Sequence, residues 1–188
     1  MKAMDLDKNL DELAATVGAF RALLPLVRQT GQVVMECLQQ GNKLLTCGNG
    51  GSAADALHLA EELVGRYERD RRAWPAISLA ADPTALTCIG NDFGFEFVFS
   101  RQIEALGAAG DVLVVFSTSG NSMNLVRALE RGREKRLRTI ALLGKTGGRC
   151  KGLAQHEIIV PSANGARVQE IHTFILHSWL SMIEATTT

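Results

Sequence analysis

Between Asp111 and Ser117 the chain reads Val112-Leu113-Val114-Val115-Phe116, an apolar run with no polar residue inside it. A strand with one wet face alternates apolar and polar residues, so an unbroken run belongs to a strand covered on both faces. Shorter runs repeat the signal at Lys43-Leu44-Leu45-Thr46-Cys47, Pro75 to Ala80, Thr139 to Leu143 and Glu157 to Val160. Helical spacing fills the intervals at 53–67, about 84–90, 96–107, 121–135 and 165–185. Doubly covered strands alternating with helices specify an α/β fold, a parallel sheet with helices on each side. Ahead of it, residues 5–40 carry helical periodicity broken near Pro25, which predicts two helices or one kinked helix. At 188 residues the chain reads as one domain, 1–188, with no repeat or linker; only Thr186-Thr187-Thr188 looks like a loose end.

Charge and cysteines narrow the function classes. Lys plus Arg total 20 and Asp plus Glu total 20, so no field-driven affinity for nucleic acid or an acidic membrane is expected. The basic run Arg66-Tyr67-Glu68-Arg69-Asp70-Arg71-Arg72 is interrupted by acids and reads as a solvated helix end. Met1 to Asp7 has no hydrophobic signal core, and no apolar run approaches the roughly 20 residues of a membrane span. Cys37, Cys47, Cys88 and Cys150 lie far apart without a C-x-x-C, which suits reduced thiols in a cytoplasmic protein.

Ligands of such sheets bind beyond the carboxyl ends of the strands. Two polar loops fall there. Gly48-Asn49-Gly50-Gly51-Ser52 joins a strand to a helix, leaving N–H groups uncovered beside a positive helix terminus that favours an anion. Ser52 and Asp55 are spaced as a capping box. The second loop, Ser117-Thr118-Ser119-Gly120-Asn121-Ser122, adds hydroxyl donors before another helix. Alone, the second loop is also an ordinary turn and helix cap. Together they point to a phosphorylated or otherwise oxyanionic small molecule. The first loop also fits the loose G-x-G-x-x-[GA] dinucleotide pattern, with Asp82 as the acid after the next strand. A nicotinamide site would not need the serine loop.

His58 and Glu62, four residues apart, share one face of the helix that follows the glycine loop, while Glu61 points about 100° away. They read as a surface ion pair, as metal ligands, or as an acid/base group with its orienting neighbour. The closing helix carries Gln169, Glu170, His172 and His177, and His156 lies in a turn. His172 and His177 each also suit an interior position beside Ile171, Ile175 and Leu176. Gln169 and His177 are ~12 Å apart in helix rise, so spacing alone does not nominate them as joint ligands.

Several blocks taken together, in order, resemble the phosphoheptose isomerases, the sedoheptulose 7-phosphate isomerase branch of the sugar isomerase (SIS) domain proteins. They are Cys-Gly-Asn-Gly-Gly-Ser at 47–52, Ala-Glu-Glu-Leu-Val-Gly-Arg-Tyr at 60–67, Gly-Asn-Asp-Phe-Gly-Phe at 90–95, Ser-Thr-Ser-Gly-Asn-Ser at 117–122 and Val-Gln-Glu-Ile-His at 168–172. The resemblance implies a flavodoxin-like five-stranded parallel sheet, with the N-terminal segment 1–40 packed on it or on a neighbouring subunit. It further implies a cytoplasmic homotetramer with active sites shared between subunits. The implied substrate is a phosphorylated seven-carbon sugar, and its expected fate is lipopolysaccharide or another surface glycan. By position, Asn49, Gly50, Gly51, Glu62, Asn91, Asp92, Ser117, Thr118, Ser119, Ser122 and Gln169 would bind it. His58, Glu62, Gln169 and His177 would match zinc ligands, one ion per subunit, and Glu62 and His177 the catalytic acid/base pair.

Two other readings stand beside this one. A non-catalytic SIS relative associates with the bacterial replication initiator, sharing the fold and both loops but resembling this chain less at Glu62 and His177. A nicotinamide dehydrogenase is the third.

Overall fold

The computed structural model describes residues 5–186. Two N-terminal helices, α1 (Leu6–Phe20) and α2 (Leu24–Gln39), are separated by a 3-10 turn at Arg21–Leu23. The break expected near Pro25 therefore falls just before it. Pro25 sits in the first turn of α2, where its missing N–H costs no helical bond. Then come β1 (Leu44–Cys47), α3 (Gly51–Val64), β2 (Ala76–Ser78), α4 (Pro83–Asp92), α5 (Ser100–Leu106) and β3 (Val112–Ser117). The chain closes with α6 (Met123–Glu134), β4 (Arg138–Gly144), β5 (His156–Val160) and α7 (Gly165–Ala185).

All pairings in the five-stranded sheet are parallel, in the order β2-β1-β3-β4-β5. That is the flavodoxin-like order, which reverses direction between β1 and β3 and opens a crevice there. Every residue of β3 is buried, as its unbroken apolar run requires. Val112, Val114 and Phe116 face one core with α2, α3 and α7; Leu113 and Val115 face another with α5 and α6. On the first side Trp179 is fully buried and donates its indole N–H to the Val27 carbonyl at 3.0 Å, tying α7 to α2. The N-terminal helices thus pack on α7 of their own chain.

Four local expectations are corrected. His156 opens β5 opposite Ile140 rather than lying in a turn. The helix expected to Tyr67 ends at Val64, where Gly65 makes the C-cap. The capping box does not form: Gly50, at φ +57°, takes the N-cap, and Asp55 turns instead toward α7. The run 66–72 is solvated, as expected, with Arg66, Glu68, Arg69, Asp70 and Arg72 exposed, but it is a loop rather than a helix end, and its Arg71 side chain is only 3% exposed. Cys37, Cys47 and Cys150 are buried free thiols, Cys88 is exposed, and burial pushes the Cys150 thiol up to about 11. Residues 1–4 and 187–188, including most of the Thr186-Thr187-Thr188 end, lie outside the described residues. Among the described residues no helix is long and apolar enough to cross a membrane.

Candidate active site

The two polar loops leave β1 and β3 side by side, at the carboxyl edge where the strand order reverses. They are tied together by a reciprocal amide pair. Asn49 Nδ2 donates to Asn124 Oδ1 at 3.0 Å, and Asn124 Nδ2 donates back to Asn49 Oδ1 at 2.8 Å. Asn49 thus spends one donor and one acceptor on α6 and keeps the rest for a ligand. Asn124 was not among the expected residues; a partner 75 positions away leaves no local signal.

Ser117 Oγ accepts from the Gly120 N–H at 2.9 Å and Ser119 Oγ from the Asn121 N–H at 3.2 Å, bonds that use an acceptor lone pair of each hydroxyl and not its donor hydrogen. Gly120 has φ +65°, and a Cβ there would collide with the Gly147 carbonyl, so only glycine allows this turn. Ser122 is the N-cap of α6 without a side-chain bond to the helix. Thr118 and Ser119 are half-buried. Gly50 and Gly51 are exposed at the start of α3, and the Gln169 amide of α7 lies against Gly51 so closely that a Cβ would strike it.

Farther along, α3 and α7 pack together and bring His58, Glu62 and His177 into one cluster. His58 Nε2 is its shared vertex, 3.4 Å from Glu62 Oε1 and 3.5 Å from His177 Nε2. The side chain of His58 is 34% exposed and that of Glu62 17%. Helical phase turns Glu61 away, yet its exposed side chain bends back, and an oxygen of it comes within 4.8 Å of ligand atoms on His58 and Glu62. The Tyr67 ring stacks on His177, centroids 5.4 Å apart at 25°, while His58 meets His177 edge to face. Burial holds the His177 imidazole below its ordinary range, the neighbouring His58 adds to this, and Glu62 opposes it. Beneath, the Asp55 carboxylate is 8% exposed and accepts from Thr173 Oγ1 at 3.2 Å. Its other oxygen has no partner, and burial raises its pKa.

These groups suit a divalent ion. Donors at 2.0–2.1 Å from a tetrahedral zinc lie ~3.3–3.4 Å apart, close to the spacings around His58 Nε2. Two facing imidazole nitrogens can share one proton or one cation but otherwise repel. Gln169, at Gly51, belongs to the loop end of this surface rather than to the His58 vertex.

Asn91 and Asp92 stand elsewhere. Both are exposed at the end of α4, with Asn91 Nδ2 donating to Asp92 Oδ1 at 2.8 Å. His172 is fully buried, its Nε2 3.5 Å from the Leu143 carbonyl and its Nδ1 unpartnered. It is a core residue. Asp82 is committed to capping α4 through the N–H groups of Thr84 and Ala85, which removes the acid a dinucleotide site would use.

Comparison with known proteins follows the same lines. The SIS domain family model matches residues 11–144. Phosphoheptose isomerase 1 of Campylobacter jejuni is 46% identical over 179 residues, covering 95% of this chain and 96% of that protein. Among solved structures, the phosphoheptose isomerase of Neisseria gonorrhoeae superposes with TM-score 0.89 at 38% identity, covering 96% of this chain and 97% of that one. The one from Francisella tularensis gives 0.90 at 34% identity, covering 98% of this chain and 100% of its own.

Proposed function

Since the chain belongs to the SIS domain family, among the phosphoheptose isomerases, it is an isomerase of a heptose phosphate, and we propose how its residues divide that work. The observation that carries the reading is the cluster His58–Glu62–His177, set between two helices beside a pair of anion-suited loops. The substrate is sedoheptulose 7-phosphate and the product D-glycero-D-manno-heptose 7-phosphate. Ser117, Thr118, Ser119 and Ser122 hold the phosphate with hydroxyl and backbone donors at the start of α6. Asn49, Gly50, Gly51 and Gln169 hold the sugar near the other loop. Glu62 takes the proton from the carbon beside the carbonyl, leaving an enediolate, and returns it to the neighbouring carbon. His177, whose imidazole burial and the neighbouring His58 hold below its ordinary range, exchanges protons with the two sugar oxygens.

A zinc ion held by His58, Glu62 and His177 would polarise the carbonyl and steady the developing oxyanion; Gln169, which lies against Gly51, serves the sugar instead. Asn91 and Asp92, exposed on their own chain, bind substrate at a site completed by a second copy, in a homotetramer with shared active sites. The reading extends to a cytoplasmic enzyme feeding lipopolysaccharide or another surface glycan. A scaffold role shares the fold and the loops, but it needs neither the carboxylate nor the imidazole at the vertex.

The direct test incubates purified protein with sedoheptulose 7-phosphate, with and without zinc, and monitors aldoheptose phosphate. No product under either condition would falsify the catalytic reading. A second measurement concerns the loop. Ser119→Ala is expected to raise KM several-fold and change kcat less, because it removes a donor to a phosphate remote from the reacting carbon. A collapsed kcat at constant KM would move Ser119 to the chemistry.

A further inference from the structure

Glu184, near the end of α7, is only 4% exposed and collects three backbone N–H groups from a single loop. Tyr67 donates to its Oε1 at 3.1 Å, and Glu68 and Arg69 to its Oε2 at 3.1 and 2.9 Å. Arg71 Nε lies 3.3 Å from the same carboxylate. The Arg71 Nη1 donates to the carbonyls of Leu63 at 3.0 Å and Gly65 at 3.3 Å, and Nη2 to that of Glu62 at 2.6 Å. These belong to the end of α3, where carbonyls lack helical partners. One buried ion pair thereby joins the last turn of α3, the loop behind it and the last turns of α7. It spans the two helices that carry Glu62 and His177. The loop's other product is the Tyr67 ring, laid flat on His177.

Taking an ion pair out of water is costly and is offset by the hydrogen bonds its partners make. Here the carboxylate takes three N–H groups and the terminal guanidinium nitrogens reach carbonyls, while Nε faces Glu184 as an ion-pair contact without a hydrogen bond. A loop that merely had to cross the surface would need none of this. We propose that Glu184 and Arg71 are positioning residues for the isomerisation. They hold Tyr67 against His177 and the end of α3 against α7, and so fix the His177 ring in its orientation toward the substrate. The proposal rests on the reading that His177 works in the reaction.

The experiment uses the full chain, with Glu184→Gln, Tyr67→Ala, Tyr67→Phe and the double variant Glu184→Gln/Tyr67→Ala. The readouts are kcat, KM and the ring-proton resonance of His177 at one pH, which feels the ring current of Tyr67. Misplacing a reacting group by about 1 Å can cost a hundredfold. Glu184→Gln and Tyr67→Ala are each expected to lower kcat about tenfold or more, with KM little changed. Both move the His177 resonance in the same direction. The double variant is no worse than the poorer single one, and Tyr67→Phe, which keeps the ring, restores kcat. A merely structural anchor lowers stability but leaves kcat unchanged in both variants and the resonance unmoved in Glu184→Gln, where the Tyr67 ring is kept, and that result overturns the proposal. Multiplicative losses in the double variant overturn it too. Should Glu184→Gln not fold, an unchanged kcat in Tyr67→Ala is sufficient to reject it. Failure of the underlying reading looks different: His177→Asn would then turn over substrate normally whatever the resonance does.

Discussion

Glu62→Gln leaves the fold and phosphate binding intact and slows isomerisation by about a hundredfold to ten-thousandfold, the usual cost of removing a general base. The swap is nearly isosteric. The amide still sits beside His58, whose Nε2 lies 3.4 Å from Oε1 of Glu62, but it cannot take a proton from carbon. Because Glu62 also faces the candidate ion, zinc content is measured on the same sample, separating a lost base from a lost metal. His177→Asn is expected to be comparably impaired, since an amide cannot shuttle protons near neutral pH. Glu62→Gln with its metal bound and nearly full turnover would remove the base assignment and leave the fold untouched. A scaffold predicts no turnover in the wild type and no special penalty for either change.

The second large effect is on stability and comes from His172. Burial pushes its imidazole from 6.5 down to about 4, so it is neutral in the native state. The unfolded chain takes up a proton below pH 6.5 that the folded one refuses until about pH 4. Across that window the unfolded state binds more protons, so stability falls as pH falls. The shift is worth about 3 kcal/mol once the window is crossed. Urea midpoints at pH 7, 5.5 and 4 measure it, the pH values being roughly the ends and middle of the window. His172→Leu changes stability at pH 7 by its own packing cost, but it should lose less than the wild type on the way to pH 4. Equal losses in the two proteins would show that His172 is not the group responsible. Glu184 acts lower: burial raises its pKa, but three backbone N–H groups and Arg71 outweigh this and leave it below 4.5. Its contribution is present above 4.5 and is lost as pH falls through the depressed value.

Periodicity carried most of the fold into view. Continuous runs such as Val112 to Phe116 predict strands with two covered faces, and the sheet is parallel with a core on each side. Elements ended where chemistry beyond the local pattern intervened. Residues 65–67 continue a helical composition, yet Arg71 takes the last α3 carbonyls and Glu184 takes the loop's N–H groups, so the helix stops at Val64. The Ser52/Asp55 spacing suggests a cap, but Gly50 makes the turn and Asp55 is drawn to Thr173. At the candidate site, the i,i+4 pair His58/Glu62 was legible because helix geometry alone aligns it. His177 as their neighbour, 119 positions from His58, was reached only through the resemblance, since spacing gives no sign of contact between two helices. Asn124, Tyr67 and Glu184 were invisible for that reason. Each acts through a partner that folding alone brings near.

The amide pair between Asn49 and Asn124 has a consequence for inheritance. Each side chain presents its donor to the other's acceptor, so an aspartate at either position keeps one bond and turns the other into two facing oxygens. The two codons are therefore under a common constraint although 75 positions separate them. Across descendants of this chain they should be kept or replaced together, and a lineage with one changed and the other retained should be rare and short-lived.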